Sequence, residues 1–498
     1  MAKLYIFSIG GTGSRVLKSL AMMLASGAHQ GSAFDTIVPI ILDPDVSNGD
    51  LERTQDILMK YQFLQNYAQR DGDEDDNFFG LKIRTLDQLS NDMNTSVSNH
   101  FRFQFGQKTD GSFMDYIHYN GLNQNNQGLI DLLFSKKTLN SNMEVGFKGN
   151  PNMGSIVLNQ FAESKEFDMF YSTFSRGDAV FIISSIFGGT GAAGFPLLMK
   201  NLRDEQADNP FASNNPEVSQ SVIGAVSLLP YFKVNPDENS QINSTTFLQK
   251  TKAALSYYSG NVTGKNGVDY FYYLGDQESE NSYANEEGGK NQRNDAHFLE
   301  LSAALSIIDF MHIYSNASKP EVTQVKEFGI ASEGGSSLHF DDLGPETFRR
   351  VVPNLSRLFL MNLYMEHGFG ARKTRKVQWQ QPQNGGISLK KLDGQYRDAL
   401  YGFLAHLRQW LKEMKDNNVA FAPFHMERNF SNALQFIVNH PPEKKGVGQP
   451  PESLKLLDEY NIKHFPPIKK GYQSAETKLL KLFESSTKEL IRNHIKLS

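Results

Sequence analysis

Hydrophobic positions along this chain follow two alternating patterns. Short, nearly continuous apolar runs occupy residues 3–9, 36–42, 179–187, 222–229 and 268–274, the pattern of strands buried on both faces of a parallel sheet. Between them lie segments with apolar residues three or four apart. Residues 14–26 carry Val16, Leu17, Leu20 and Leu24 at helical spacing, and 155–173, 194–203 and 243–258 read as further helices. A longer one spans 295–312, with Phe298, Leu301, Leu305 and Ile308 on one face. Parallel strands need crossover connections, so this alternation predicts an α/β fold built on a doubly wound, Rossmann-like parallel sheet.

The alternation lapses twice. From about 46 to 141 the chain is irregular and rich in Asn and Gln, with an acidic run at residues 71–76 that reads as a solvated loop tip because no EF-hand spacing follows. Residues 371–386 are basic, then rich in Gln and Gly. Beyond them, 389–415 and 474–497 predict amphipathic helices, separated by proline-bearing loops around Pro441-Pro442, Pro450-Pro451 and Pro466-Pro467.

Composition narrows the function classes. A chain of 498 residues has room for two or three domains, and its net charge of −5 gives no general attraction to nucleic acid. The basic run Arg372-Lys373-Thr374-Arg375-Lys376 reads as a solvated linker. No stretch approaches eighteen uncharged apolar residues, so no membrane span is expected, and the first residues read as a buried strand instead of a cleavable signal. Cysteine is absent. Disulfides, thiolate metal sites and a cysteine nucleophile are thereby excluded, and a reducing cytoplasm is the expected location.

The chemistry gathers on glycine. Gly10-Gly11-Thr12-Gly13 and Gly188-Gly189-Thr190-Gly191 each follow an apolar run and precede a helical segment. Without a Cβ in the way, backbone N–H groups can close on a phosphate; Thr12 and Thr190 add hydroxyl donors, and helices expected near Ser14 and Ala192 present their positive ends. Neither turn continues with Lys and then Ser or Thr, so no Walker-type lysine is involved. Asp43 and Asp45, after the second apolar run, suit Mg²⁺ or its water shell better than phosphate itself.

The second turn, with its flanks Phe187 and Ala192-Ala193-Gly194, resembles the signature loop of the tubulin and FtsZ superfamily, and the order of motifs over about residues 1–370 follows the same plan. The first glycine turn and Asp43-Pro44-Asp45 stand where that family has its first two nucleotide loops. Gly146-Phe147-Lys148-Gly149-Asn150-Pro151-Asn152-Met153-Gly154 stands where it has a loop sensing the γ-phosphate, which implicates Gly149 and Asn150. The resemblance implies a sugar-contacting loop at Leu229-Pro230-Tyr231-Phe232, a base contact from Asn243, and Asn294 or His297 near the base. It also implies GTP or GDP with Mg²⁺, and head-to-tail self-association in which Asp341, Asp342 or Glu346 of one copy completes the hydrolytic site of the next. The domains expected on this basis are a nucleotide domain at 1–293 with an insertion at about 46–141, a connecting helix at 294–312, a second domain at 313–386 and a helical region at 387–498.

Other readings stay open. A chain of the same fold could bind nucleotide, turn it over poorly and recruit a protein partner through its C-terminal region. An NAD(P)-dependent oxidoreductase would also place a glycine turn after strand one and an acid such as Asp43 after strand two, although the last glycine of GxGxxG is missing. Asp342 could simply cap the helix expected near Pro345, and His297 with Glu300 reads as helix packing in preference to a metal pair.

Overall fold

The computed structural model describes residues 2–68, 77–90, 101–105, 111–143, 146–203, 215–235, 244–264, 266–276, 282–283, 288–314, 319–327, 337–367, 369, 377–381, 385–417, 419–426, 435–440 and 453–495. The acidic run at 71–76, the basic run at 372–376, Asn243 and the pairs Pro441-Pro442 and Pro450-Pro451 lie outside these residues.

Seven strands form one sheet: β1 (Ala2–Ile9), β2 (Phe34–Leu42), β3 (Lys82–Ile83), β4 (Ala179–Ser185), β5 (Ile223–Leu228), β6 (Tyr270–Leu274) and β7 (Gln324–Glu327). Their order is β3-β2-β1-β4-β5-β6-β7 and every pairing is parallel. Side chains alternate across it as strand geometry requires. Leu4 and Ile6 of β1 enter one apolar core while Tyr5, Phe7 and Ile9 enter the other, and Phe181 and Ile183 of β4 oppose Val180 and Ile182 in the same way. This two-sided burial is why these strands read as continuous apolar runs.

The helices are α1 (Gly10–Ser26), α2 (Gly49–Gln65), α3 (Pro151–Leu158), α4 (Lys165–Thr173), α5 (Gly189–Arg203), α6 (Ser244–Asn261), α7 (Phe298–Tyr314), α8 (Pro345–His367), α9 (Gly394–Asp416), α10 (Ser453–Gly471) and α11 (Ala475–His494), with shorter turns between them. Helices α3 to α6 cover one face of the sheet. On the other face α1, α2, α7 and α8 share a single core with the C-terminal helices α9 to α11. The long helix α7 is buried on nearly every side, from Phe298 and Leu299 to Phe310 and Met311. Among the described residues, no helix is long and apolar enough to cross a membrane.

Several elements differ from the sequence expectation. The chain is not irregular after residue 45: α2 occupies Gly49–Gln65, its Asn48 cap accepting from the backbone N–H groups of Asp50 and Leu51. The segment expected as one helix at 155–173 is two, because Pro151 opens α3 early and the Ser164 hydroxyl accepts from Phe167 N–H to start α4 anew. Pro466 and Pro467 do not form a loop; they lie inside α10, where buried Phe465 and Ile468 keep the segment helical. Strand β7, with the sequence QVKE, is largely exposed at the sheet edge and so carries no apolar run to announce it.

Candidate functional site

Strand order reverses between β1 and β4, and in an open parallel sheet the crevice beyond the C-terminal ends of two such strands is where ligands bind. β1 pairs directly with β4, from Leu4 opposite Ala179 to Ser8 opposite Ile183. The two Gly-Gly-Thr-Gly segments, one after each strand, are thereby brought side by side. A Cβ on Gly10 would stand 3.3 Å from Thr190 Cβ, and Gly10 itself has φ +73°. The fourth glycine does the same work in both turns. A Cβ on Gly13 would lie 2.7 Å from Ser8 Oγ and 2.9 Å from the Ser8 carbonyl carbon, and one on Gly191 would lie 2.6 Å from Ser185 O and 2.8 Å from its N. Each helix can therefore settle its first turn on the end of its own strand.

The helices start inside the motifs, α1 at Gly10 and α5 at Gly189, and not after them near Ser14 and Ala192. The motif amides are consequently first-turn N–H groups, which have no partner within a helix. Ile9, at the cap position of α1, makes no side-chain cap bond to them.

A third glycine turn leans on the second. Asn150 N–H donates to Phe147 O at 2.7 Å, and the two residues between have positive φ, +45° at Lys148 and +73° at Gly149, which defines a type I′ turn. A Cβ on Gly189 would meet the backbone N atoms of Gly149 and Asn150 at 3.0 and 3.1 Å, and one on Gly154 would meet Ala193 Cβ at 2.9 Å. Lys148 is strained, since a side chain at positive φ costs about 1–2 kcal/mol. Lys148→Gly is expected to raise unfolding stability by about 1 kcal/mol even after the entropy cost of glycine. Urea denaturation would check this, and a loss of stability would mean that the side chain compensates for the strain.

On the opposite wall, Asp43 Oδ1 accepts from Asp45 N–H at 3.1 Å. Asp45 is fully engaged, its Oδ1 accepting from Ser47 N–H and hydroxyl and its Oδ2 from Gly289 N–H at 2.7 Å. Loss of solvation pushes the Asp43 carboxyl up to about 7; the Asp45 N–H bond opposes that shift and the Asp45 charge adds to it. The folded chain thus holds this proton more tightly than the unfolded one. Its contribution to stability is complete below the ordinary carboxyl value of 3.8 and is lost as pH rises through about 7. In metal-free buffer, Asp43→Asn is expected to flatten that loss, so that its melting-temperature advantage over the parent is larger at pH 8 than at pH 5. Parallel pH profiles for the two proteins would refute the assignment.

Behind the first turn sits a buried charge network. Arg15 Nε contacts Glu300 Oε1 at 2.6 Å, Nη1 contacts Asp50 Oδ2 at 3.3 Å, and Nη2 donates to Tyr231 Oη at 2.8 Å and Thr12 Oγ1 at 3.3 Å. The Tyr231 hydroxyl donates in turn to Glu300 at 2.7 Å. Asp50 also accepts from Asn294 N–H at 3.2 Å and pairs with Arg53, which reaches Glu413 on α9 at 2.8 Å. Lys18 meets the same Glu413 at 3.3 Å. Arg15 is thus a wall and an anchor, committed to carboxylates.

One cleft is lined by Gly10, Gly11, Thr12, Asp43, Asp45, Gly149, Gly188, Gly189, Thr190, Gly191 and Asn294 among the residues picked out from sequence. Gly13 and Ser14 lie beneath it, Ser14 Oγ donating to Gly10 O at 3.4 Å. Asn150 and Ala192 line a groove on the other side of the third turn, together with Lys250. His297 is buried outside the cleft lining, its ring 4.9 Å from that of Tyr231 and its Nδ1 accepting from Leu299 N–H. Asp341, Asp342 and Glu346 do not line the cleft of their own chain. Asp341 contacts His440 at 2.7 Å, Asp342 closes its own turn by accepting from His339 N–H at 2.6 Å, and Glu346 lies in the first turn of α8. Phe147, Lys148 and Phe232, from the segments quoted as nucleotide loops, also line it, and Asn48 and Gln292, which were not singled out from sequence, join them. Asn48 alone carried a local signal, as a helix cap ahead of Asp50 and Glu52.

Among the described residues no group of three or more His, Asp or Glu side chains could hold a metal ion. With Asp45 engaged, Asp43 is the carboxylate left to meet a cation here. Mg²⁺ fits such a site when phosphate oxygens and water complete its six ligands.

The fold and cleft define a doubly wound, Rossmann-like α/β protein with a glycine-walled cleft at its switch point and a helical C-terminal region. No family model and no curated protein matches the chain. Among solved structures, CetZ from Methanosaeta thermophila strain DSM 6194 is similar over 63% of this chain and 52% of that one, at 13% identity and a TM-score of 0.27. The match spans about half the length of that chain, and an overlap this loose says nothing about the site.

Proposed function

We propose that this chain is a tubulin/FtsZ-like nucleotide-binding protein that holds the phosphates of GTP or GDP between its two Gly-Gly-Thr-Gly turns. The observation that carries the reading is the β1–β4 pairing, which sets the starts of two helices, α1 and α5, against one cleft. First-turn amides of α1 and α5 would donate to phosphate oxygens, with the Thr12 and Thr190 hydroxyls beside them, and both helix dipoles favour the anion. Asp43 would bind Mg²⁺ or its water shell, and the ion would supply charge neutralisation across the phosphates. Guanine is favoured by the resemblance of the motif order.

Hydrolysis needs a water placed in line with the terminal phosphorus and stabilisation of charge on the transferred oxygens. The amides would answer the second need. For the first, the reading assigns Asp341, Asp342 or Glu346 of a second copy docked head to tail, and their position outside their own cleft is what service in trans requires. One observation favours a second reading, a nucleotide-binding scaffold with slow turnover that recruits a protein through its C-terminal region: Asp341 and Asp342 are already engaged within their own chain.

Nucleotide released by denaturing the purified protein, separated by anion exchange, tests the cleft. GDP or GTP is the expected result, whereas NAD or NADP would overturn the reading in favour of an oxidoreductase. Light scattering with GTP and Mg²⁺ then divides assembly from scaffold: a rise that reverses on hydrolysis supports the first, and a flat trace the second.

A further inference from the structure

We propose that the groove between α3, α5 and α6 is a second binding site, which takes a small organic anion carrying an apolar or aromatic body. It is distinct from the cleft. The two cavities have only Phe187 and Gly188 in common among the described residues, and none of the first Gly-Gly-Thr-Gly turn reaches the groove.

The charged part of the groove has one sign. Lys200 of α5 and Lys250 of α6 both line it, and among the described residues no carboxylate does. Lys200 is exposed and makes no hydrogen bond or ion pair among those residues. An ammonium has three N–H donors, and Lys250 gives one of them to the Gly149 carbonyl. Burial lowers the pKa of Lys250, with no acidic neighbour to oppose the shift. Pro151 and Asn152, in the first turn of α3, border the same space, and the Asn150 cap makes no side-chain bond there. The positive end of that helix therefore adds to the two ammonium groups. Charges of one sign held beside a partly desolvated space carry a cost, and a bound anion removes it.

The remaining wall is apolar. Ile186, Ala193, Pro196, Leu197 and Ala254 contribute to it, and Tyr257 lines it with 52% of its surface exposed. Tyr258 lines it too, and the buried hydroxyl of that residue has no hydrogen-bond partner. A buried hydroxyl of this kind is uncommon and is satisfied by an acceptor brought from outside. The groove holds about 610 Å³, inside the range of about 300–1,000 Å³ usual for small-molecule sites. An inorganic anion would meet the lysines and leave the apolar wall wet. A neutral apolar molecule would cover that wall and leave the ammonium groups desolvated and bare. Both needs are met when the anionic group and the apolar body belong to one ligand.

Two dyes with the same rings test this. Anilinonaphthalene sulfonate carries the anion, and N-phenylnaphthylamine lacks it. Fluorescence titrations are made on the full-length parent, Lys200→Gln, Lys200→Arg and Lys250→Gln, with thermal melts to establish folding. The parent should bind one sulfonate dye per chain saturably, and the neutral dye about tenfold or more weakly. Loss of one charge-assisted contact predicts that Lys200→Gln and Lys250→Gln each weaken the sulfonate dye about tenfold, while the neutral dye changes less than about twofold. Lys200→Arg should retain parent affinity. Lys200→Gln is decisive if Lys250→Gln disturbs the third turn, because Lys200 does not line the cleft and is exposed. Equal affinity for the two dyes, or an unchanged sulfonate affinity in Lys200→Gln, would overturn the proposal. Displacement of the sulfonate dye by saturating GDP would place it in the cleft and overturn the proposal as well. A parent protein that binds the dye as expected and fails to bind GDP would undo the nucleotide reading and leave the groove assignment standing.

Discussion

Gly191→Ala should abolish nucleotide binding while leaving most of the sheet intact. Its added Cβ would stand 2.6 Å from Ser185 O and 2.8 Å from Ser185 N, both backbone atoms of β4 that cannot swing aside. The start of α5 would have to lift off the strand, carrying the amides of Gly189 and Thr190 with it. Overpacking of this kind costs about 1–3 kcal/mol in stability. The loss in binding should be larger than that, because several donors move together and each is worth about 1.5–3 kcal/mol toward a charged acceptor. Titration calorimetry with GDP, alongside urea denaturation, would separate the two. Gly13→Ala meets the Ser8 carbonyl carbon at 2.9 Å and should behave likewise. Gly128→Ala, with nothing within 4 Å, is the control that should change neither quantity. Parent-like affinity in Gly191→Ala would show that the second turn does not hold the phosphates.

The largest loss of stability is expected from Arg15→Met. Arg15 is 4% exposed and meets two carboxylates that are themselves buried, Glu300 and Asp50. Removing one member of a buried ion pair leaves an uncompensated charge and costs about 3–5 kcal/mol. Asp50 keeps Arg53 as a partner, so most of the damage should fall on Glu300 and on the Tyr231 hydroxyl that donates to it. Arg15→Met combined with Glu300→Gln should therefore recover a substantial part of the loss, since no bare carboxylate then remains. Chemical denaturation of the parent, the two single variants and the double variant measures the coupling. A cost below about 1 kcal/mol for Arg15→Met would place the guanidinium in the surface ion-pair class and refute the anchor role.

Legibility in the sequence followed burial. The strands β1, β2, β4, β5 and β6 could be read because each is packed on both faces, helices α1, α9 and α11 because each repeats an apolar stripe, and α7 because it is apolar along nearly its whole length. β7 could not, since an exposed edge strand has little apolar side chain to pattern. α2 did carry a signal: Leu51, Leu58, Tyr61 and Leu64 fall seven, three and three apart and are all buried, but polar residues between them blurred the stripe. Local rules about proline failed at Pro466-Pro467 because packing of the flanking Phe465 and Ile468 outweighs two lost donors.

Residue order alone marked the glycine segments that wall the cleft. Only glycine permits a Cβ-free approach of backbone to ligand, so the Gly-Gly-Thr-Gly segments were legible as candidate phosphate turns wherever they came to rest. That they meet was decided by the parallel pairing of β1 with β4, a contact that no neighbouring residue encodes. The same holds for Arg15, whose partners Asp50 and Glu300 lie 35 and 285 residues away. Conformational preference and apolar period act between near neighbours in the chain, whereas pairing of charges and packing of turns depend on distance in space, which exists only once the sheet has formed.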